Sequence, residues 1–423
     1  MHIDYRYLRP KKAAALKKLH EKSYKICESP ATWNGKNAAI LPLRTNDAYD
    51  WTGLGGVVDQ NGQYVELSAT YSFVNGSYSF ENAEFRDERV VYCGYLVSHW
   101  GHFLVDAVNR LWYFLENDAA VDKYIFILKE NEEREIKGNY KEFLTLLGVW
   151  DKIELINTPT VFQEVIVPES GFQRGIHYTP KYLKIFDTVA ENIVIDPSWK
   201  PIDKIYWSRS KLSRANQFEF GFDTADHYFA KNGYTVMYPE TVTLSQMIFF
   251  IRNASVIATV SGSLPHNMLF GKQGQRLEIL ERCALIVDWQ VYVNIMKELN
   301  VTYIDGHLSL YTVPMVGPFI MGYTDNMARF SADHGYISPD TQYISKKHYR
   351  KCFIKYMKSY QESQRYHWFI QDYLVNEIDY HAEAYEDSRT YFEEYLDGTC
   401  PFLWHHYFEL HYWKQAIKKF LKK

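Results

Sequence analysis

In the segment SHWGHFLVDAVNRLW, His99, His102 and Asp106 stand three and four residues apart where an apolar strand-like run passes into a helical pattern. That spacing puts His102 and Asp106 on one helical face, with His99 one turn upstream. An imidazole there can act as general base, and a carboxylate one turn later can orient it or take the proton itself. The competing reading is local: an ion pair for Asp106 and backbone partners for the histidines. A metal reading is weaker, because the set supplies three ligands without supporting carboxylates nearby.

Two further segments have residue types suited to an anion. In KIYWSRSKLSRANQ a strand-like run ends at Ser208-Arg209, and Arg214 follows five residues later. Two guanidinium groups on one loop suit a diphosphate, since each donates a fixed fork of hydrogen bonds and keeps its charge. In VIATVSGSLPHNMLF an apolar strand runs into Ser261-Gly262-Ser263, and a helix is expected to open near Pro265 with His266 and Asn267 just inside it. Glycine permits close backbone approach, the hydroxyls add donors, and a helix N-terminus favours negative charge. The segment lacks the G-K-[ST] of a Walker A loop. The following run RLEIL carries Glu278, an acid placed to accept ribose hydroxyls as acids after strands do in nucleotide-binding folds.

These segments sit at strand-to-loop junctions in an alternating α/β pattern, which predicts helices covering mostly parallel sheets. A basic, mostly helical arm is expected over residues 1–30, and a β-rich stretch over 36–98 with a hairpin-like Asn75-Gly76. The first α/β domain, with its arm, is drawn at 1–195, and the run 196–203, with two prolines, is the linker. A second α/β domain follows at 204–310, then a helical C-terminal extension at 311–423. A ligand cleft is expected between the two domains.

Composition narrows the class. The chain has 423 residues, 47% of them hydrophobic, and a formal charge of -4, which argues against disorder and against bulk nucleic-acid binding. Its five cysteines form no C-x-x-C pair, and no run reaches the length of a membrane span, so a cytoplasmic, soluble protein is expected. The tail HYFELHYWKQAIKKFLKK carries an apolar stripe among lysines. Packing against the first domain is its expected role; peripheral contact with the inner face of the membrane is the alternative.

GHFLVDAVNRLW, YWSRSKLSRAN and VSGSLPHNMLFGKQGQRLEIL, in that order, resemble the glycosyltransferase family 61 domain of capsular-polysaccharide-biosynthesis type, over about residues 90–305. The usual third motif is G-A-G-L-x-N-x-L-F. Here Gly262, Leu264, Asn267, Leu269 and Phe270 match in kind, while Ser263 and Pro265-His266 depart, and Glu278 matches the closing acid. The resemblance implies a GT-B-like fold of two Rossmann-like domains and inverting transfer of a sugar from a nucleotide diphosphate sugar to a glycan or lipid-linked glycan acceptor. It implies His102 or Asp106 as base, with Arg209, Arg214 and the Ser261–Ser263 turn on the leaving diphosphate. The chain has no Asp-x-Asp triplet, so neither a metal nor a cofactor is expected. A polysaccharide pyruvyl transferase and a non-catalytic glycan-binding scaffold are the alternatives.

Overall fold

A computed structural model describes residues 1–359 except 23, 47–48, 71–72, 118–120, 213–217, 309–316, 346, 350, 353–354 and 357–358. Arg214 and the apolar tail stripe therefore lie outside the described residues.

Two six-stranded sheets organise the chain. The first comprises β2 (Thr32–Asn46), β3 (Tyr49–Val58), β4 (Glu84–Tyr95), β5 (Lys123–Ile127), β6 (Ile153–Ile156) and β7 (Thr160–Pro168), in the order β3-β2-β7-β4-β5-β6. β7, β4, β5 and β6 run parallel, whereas β2 pairs antiparallel with both β3 and β7. The sheet is thus mixed rather than Rossmann-like throughout. The hairpin is formed by residues 32–58, not at Asn75-Gly76. Within the stretch expected to be β-rich, a 3₁₀ turn forms at Glu66–Ser68. The Ser68 hydroxyl there accepts from Val57 N (2.9 Å) and donates to the Val65 carbonyl (2.7 Å), tying the turn back onto β3.

The second sheet is wholly parallel. It contains β1 (His2–Tyr7), β8 (Lys204–Trp207), β9 (Thr235–Met237), β10 (Val256–Val260), β11 (Arg276–Glu281) and β12 (Asn300–Asp305), in the order β1-β12-β11-β10-β8-β9. All five residues of β10 are buried, as expected of a central parallel strand covered on both faces. The strand order reverses between β8 and β10, and parallel sheets bind ligands outside the carboxyl ends at such a point.

The helices follow their sequence signals. A capping box links Thr243 and Gln246 at the start of α6 (Leu244–Asn253), which buries Leu244, Met247, Ile248 and Ile251 along one face and Phe249 beside it. Gly148 (φ +89°) ends α3 (Gly138–Leu147) in the left-handed conformation that glycine adopts without strain.

Two expectations change. The first residues form no arm of the first domain, because β1 pairs with β12, and α1 (Pro10–His20) buries Lys12 and Leu16. The stretch from 311 is no separate helical extension where it is described. Phe319–Ile320 pairs with Glu219–Phe220, and α8 (Asp325–His334) buries Met327 and Phe330 in one cluster with Tyr7 of β1. The chain between α4 (Pro180–Glu191) and β8 lacks regular structure, as the prolines predict. Apolar packing nevertheless continues across it, with Phe270 edge-on to Phe143 of α3 and Phe186 of α4. One hydrophobic cluster serves both sheets.

Candidate active site

The carboxyl ends of β10 and β11 form one wall of a narrow cleft. β10 passes into Ser261-Gly262-Ser263, and β11 into Arg282. Gly262 has φ +130°, and a Cβ there would lie 2.9 Å from Arg282 Nη2, so only glycine lets the turn pass over the guanidinium. The opposite wall is α2 (Trp100–Val105), reached directly from β4. A Cβ on Gly101 would lie 2.7 Å from Ser263 Oγ, which brings the helix against the turn. His99, His102, Ser263, His266, Arg282 and Trp289 face the space between, about 30 Å³, enough for a water or two.

On the α2 wall, His102 Nδ1 lies 2.7 Å from Asp106 Oδ2. The helix stops at Asp106 (φ −123°), whose backbone N–H still donates to the His102 carbonyl, and a 3₁₀ turn follows at Ala107–Tyr113. Asp106 is buried. Burial pushes its carboxyl above the usual range, and the bond from His102 and the charge of Arg174 oppose that rise. A carboxylate accepting at Nδ1 assigns the proton of a neutral ring to that nitrogen and makes Nε2 the basic one. The ring meets Phe73 and Trp289 edge-on, at centroid distances of 5.4 and 6.1 Å. His99 caps α2, and its Nε2 is 3.5 Å from Ser263 Oγ across the cleft.

On the sheet wall, Glu219 binds two guanidiniums. Arg209 donates from Nε (3.0 Å) and Nη2 (2.6 Å), and Arg282 from Nη1 (2.9 Å). Arg282 is buried over the Phe319 ring, 4.2 Å from its centroid. Burial first, then the neighbouring Arg209, lowers its pKa to about 10. Sequence reasoning passed over Arg282. The available signal was its position directly after the last residue of a buried parallel strand. Ser208 and Ser210 each donate to Asp226 of α5 (Phe222–Lys231), at 2.5 Å, and fix the loop that carries Arg209.

The remaining expected residues divide. Ser261 is buried, and its hydroxyl accepts from Arg282 N (3.2 Å), so it shapes the turn. The segment after Ser263 is a seven-residue 3₁₀ helix, Leu264–Phe270, rather than an α-helix with an anion-binding N-terminus. His266 Nδ1 donates to Gln290 Oε1 (2.8 Å) of α7 (Asp288–Met296), because Gln290 Nε2 itself donates to Asn294 Oδ1 (2.8 Å). Burial holds the His266 pKa down to about 4, leaving a neutral ring at the cleft. Asn267 accepts from Trp100 Nε1 (2.9 Å) and donates to the Leu264 carbonyl (2.8 Å), binding the two walls together. Glu278 lies away from the cleft. It sits mid-strand in β11, three residues and about 10 Å before the carboxyl end, where it accepts from Tyr234 OH (2.7 Å) and Arg276 Nη2 (2.9 Å). The strand continues to Glu281, so the ribose role expected of Glu278 has no geometric basis.

Residues 100–277 match the family model described as Glycosyltransferase 61. This segment belongs to glycosyltransferase family 61. It runs from α2 into β11 and contains His102, Asp106, Arg209, Arg214 and the 261–267 turn, while His99, Glu278 and Arg282 lie outside it. No curated protein matches the chain. Among solved structures, the iron-containing dodecameric glycosyltransferase TibC from enterotoxigenic E. coli H10407 is similar over 63% of this chain and 83% of its own. The identity is 9% and the TM-score 0.26, too low to carry an argument. Among the described residues, no helix is long and apolar enough to cross a membrane.

Proposed function

We propose that the protein is an inverting glycosyltransferase that moves a sugar from a nucleotide diphosphate sugar to a glycan or lipid-linked glycan hydroxyl during surface-polysaccharide assembly in the cytoplasm. The carrying observation is the His102–Asp106 pair of the family 61 segment, half-buried at His102 and buried at Asp106, with His102 facing Gly262 and the adjoining Arg282. In this reading the arrangement is GT-B-like, with the mixed sheet on the acceptor side. The parallel sheet, including β1 and α1, holds the donor.

His102 Nε2 takes the acceptor hydroxyl proton while the oxygen attacks the anomeric carbon. The bond from that carbon to the diphosphate breaks with its electron pair on the phosphate oxygen. The products are the inverted glycoside and a nucleoside diphosphate, and Asp106 stabilises the imidazolium formed. Arg282 and Arg209 meet the charge on the leaving group, a task that two fixed guanidiniums perform without a divalent ion. Binding requires the α2 wall to move from the Ser263 turn, because the present space is far smaller than a nucleotide sugar.

The test is a panel of nucleotide diphosphate sugars, with phosphoenolpyruvate alongside. A true donor at a hundred times its dissociation constant stabilises by roughly 2.7 kcal/mol. Transfer to a glycan acceptor should persist in chelator, and the product anomer should be opposite to the donor's. Stabilisation by phosphoenolpyruvate alone, or retention of configuration, refutes the reading.

A further inference from the structure

On the outer helix layer of the parallel sheet, three side chains of different chemistry converge. Asp223 lies in the first turn of α5, and His348 and Cys352 are four residues apart in a later helical segment. None of them lines the cleft. His348 Nε2 lies 3.5 Å from Asp223 Oδ1 and 3.7 Å from Cys352 Sγ, and the three donor atoms all fall within 4.8 Å of one another.

From this geometry we propose that Asp223, His348 and Cys352 form a binding site for a zinc-class divalent cation. The argument begins with distances. Bonds of about 2.0–2.2 Å to nitrogen and oxygen and 2.3 Å to sulfur put neighbouring donors of a tetrahedral shell about 3.3–3.6 Å apart. The two edges to His348, 3.5 and 3.7 Å, are already close to that spacing, and the Asp223–Cys352 edge, within 4.8 Å, closes by rotation of the exposed Asp223 side chain. The donor types agree: a thiolate, an imidazole and a carboxylate together favour a borderline cation over magnesium or calcium, which prefer oxygen alone. The setting leaves a fourth position, since the Asp223 side chain is 56% exposed while His348 is only 15% exposed. Water can complete the shell from that open side.

The site would fasten the segment after α8 to α5. That segment is already held by Tyr349, whose hydroxyl accepts from Tyr323 N (2.7 Å), while His348 Nε2, now 3.2 Å from Thr224 Oγ1, would exchange that contact for the cation. The role is structural and separate from the diphosphate chemistry proposed above.

The test uses the intact chain, stripped with chelator and titrated with Zn²⁺ and with Co²⁺. One equivalent should bind, and the Co²⁺ form should show a thiolate charge-transfer band. Cys352→Ser should abolish the band, and His348→Gln should weaken Zn²⁺ binding at least tenfold. Each variant's circular dichroism should match that of the parent. Asp223→Asn, on an exposed side chain, is the milder check and should weaken binding without loss of fold. The proposal is overturned if the intact chain binds no Zn²⁺. It is equally overturned if a folded Cys352→Ser variant keeps the band, which would assign the metal to another cysteine.

Discussion

Replacing Asp106 by Asn is the sharpest perturbation of the proposed chemistry, because it removes one charge and keeps the shape. Asp106 accepts from His102 Nδ1 at 2.7 Å in a buried setting. An Asn amide in the same place can turn its donor toward Nδ1, which moves the ring proton to Nε2 and leaves that nitrogen unable to accept one. The loss is therefore that of the base itself, roughly 10²–10⁴ in kcat. KM for the donor should change little, since Asp106 does not meet the sheet wall. His102→Ala should lose activity to a similar degree, and added imidazole should restore part of it, whereas it should not restore Asp106→Asn. Initial rates of transfer at saturating donor measure all three variants. If His102→Ala turns over like the parent while Asp106→Asn is dead, Asp106 is the base and the orienting role assigned to it is wrong. Full activity in Asp106→Asn would remove the pair from the mechanism altogether.

Three other outcomes are expected. Arg282→Ala and Arg209→Ala should each weaken nucleoside diphosphate binding in calorimetric titration by about 10- to 100-fold, the worth of one charge-assisted contact. Unchanged affinity in both refutes the assignment. Lys12→Met should destabilise the protein in urea by about 3–5 kcal/mol, because Glu281 (2.8 Å) and Asp305 (3.5 Å) lose their buried ammonium. Adding Glu281→Gln should return part of that loss, and a Lys12→Met variant as stable as the parent would show the cluster to be unimportant. His266 stays neutral in the fold while its unfolded form takes a proton below about 6.5, so the stability it contributes is lost as pH falls from 6.5 toward 4, by about 2 kcal/mol at pH 5. Urea unfolding at pH 7 and pH 5 should show His266→Gln losing correspondingly less than the parent; equal losses refute the claim.

Sequence reasoning found what local pattern encodes. The four-residue spacing from His102 to Asp106 survives even though α2 ends at the aspartate, because a hydrogen bond needs only one turn of helix. The Ser261-Gly262-Ser263 turn was legible from an apolar strand followed by small residues. Other features depend on partners far along the chain. Arg209 and Arg282 are 73 positions apart and meet at Glu219, which neither segment announces. Glu278 was expected at a strand end although it is the third of the five residues of RLEIL, so the alternation of that run alone argued for a place inside the strand. Pairing with β12 carries β11 on to Glu281 and leaves Glu278 inside. The run Pro10-Lys11-Lys12 read as an exposed basic arm, since a lysine without a visible acidic neighbour is ordinarily solvated.

That last case ties stability to the site. Lys12 Nζ bonds Glu281 Oε2 and the Cys283 carbonyl, both 2.8 Å away, and so brackets the peptide that carries Arg282. Ser261 Oγ accepts from the same residue's backbone N–H, at 3.2 Å, and Gly262 crosses above its guanidinium. A residue in the first helix thus fixes the strand end on which the proposed diphosphate contacts depend. Arg9 extends the arrangement: its backbone N–H donates to Asp305 Oδ2 (2.7 Å), and its Nη1 lies 2.7 Å from His307 Nε2. Buried charges in such a cluster add little net stability over apolar residues of equal size. Their value here is positional, since each charge permits only a few partners at a few angles. The β1–α1 segment therefore acts as an outer buttress of the proposed donor edge, although it lies outside the stretch that carries the family's own signature.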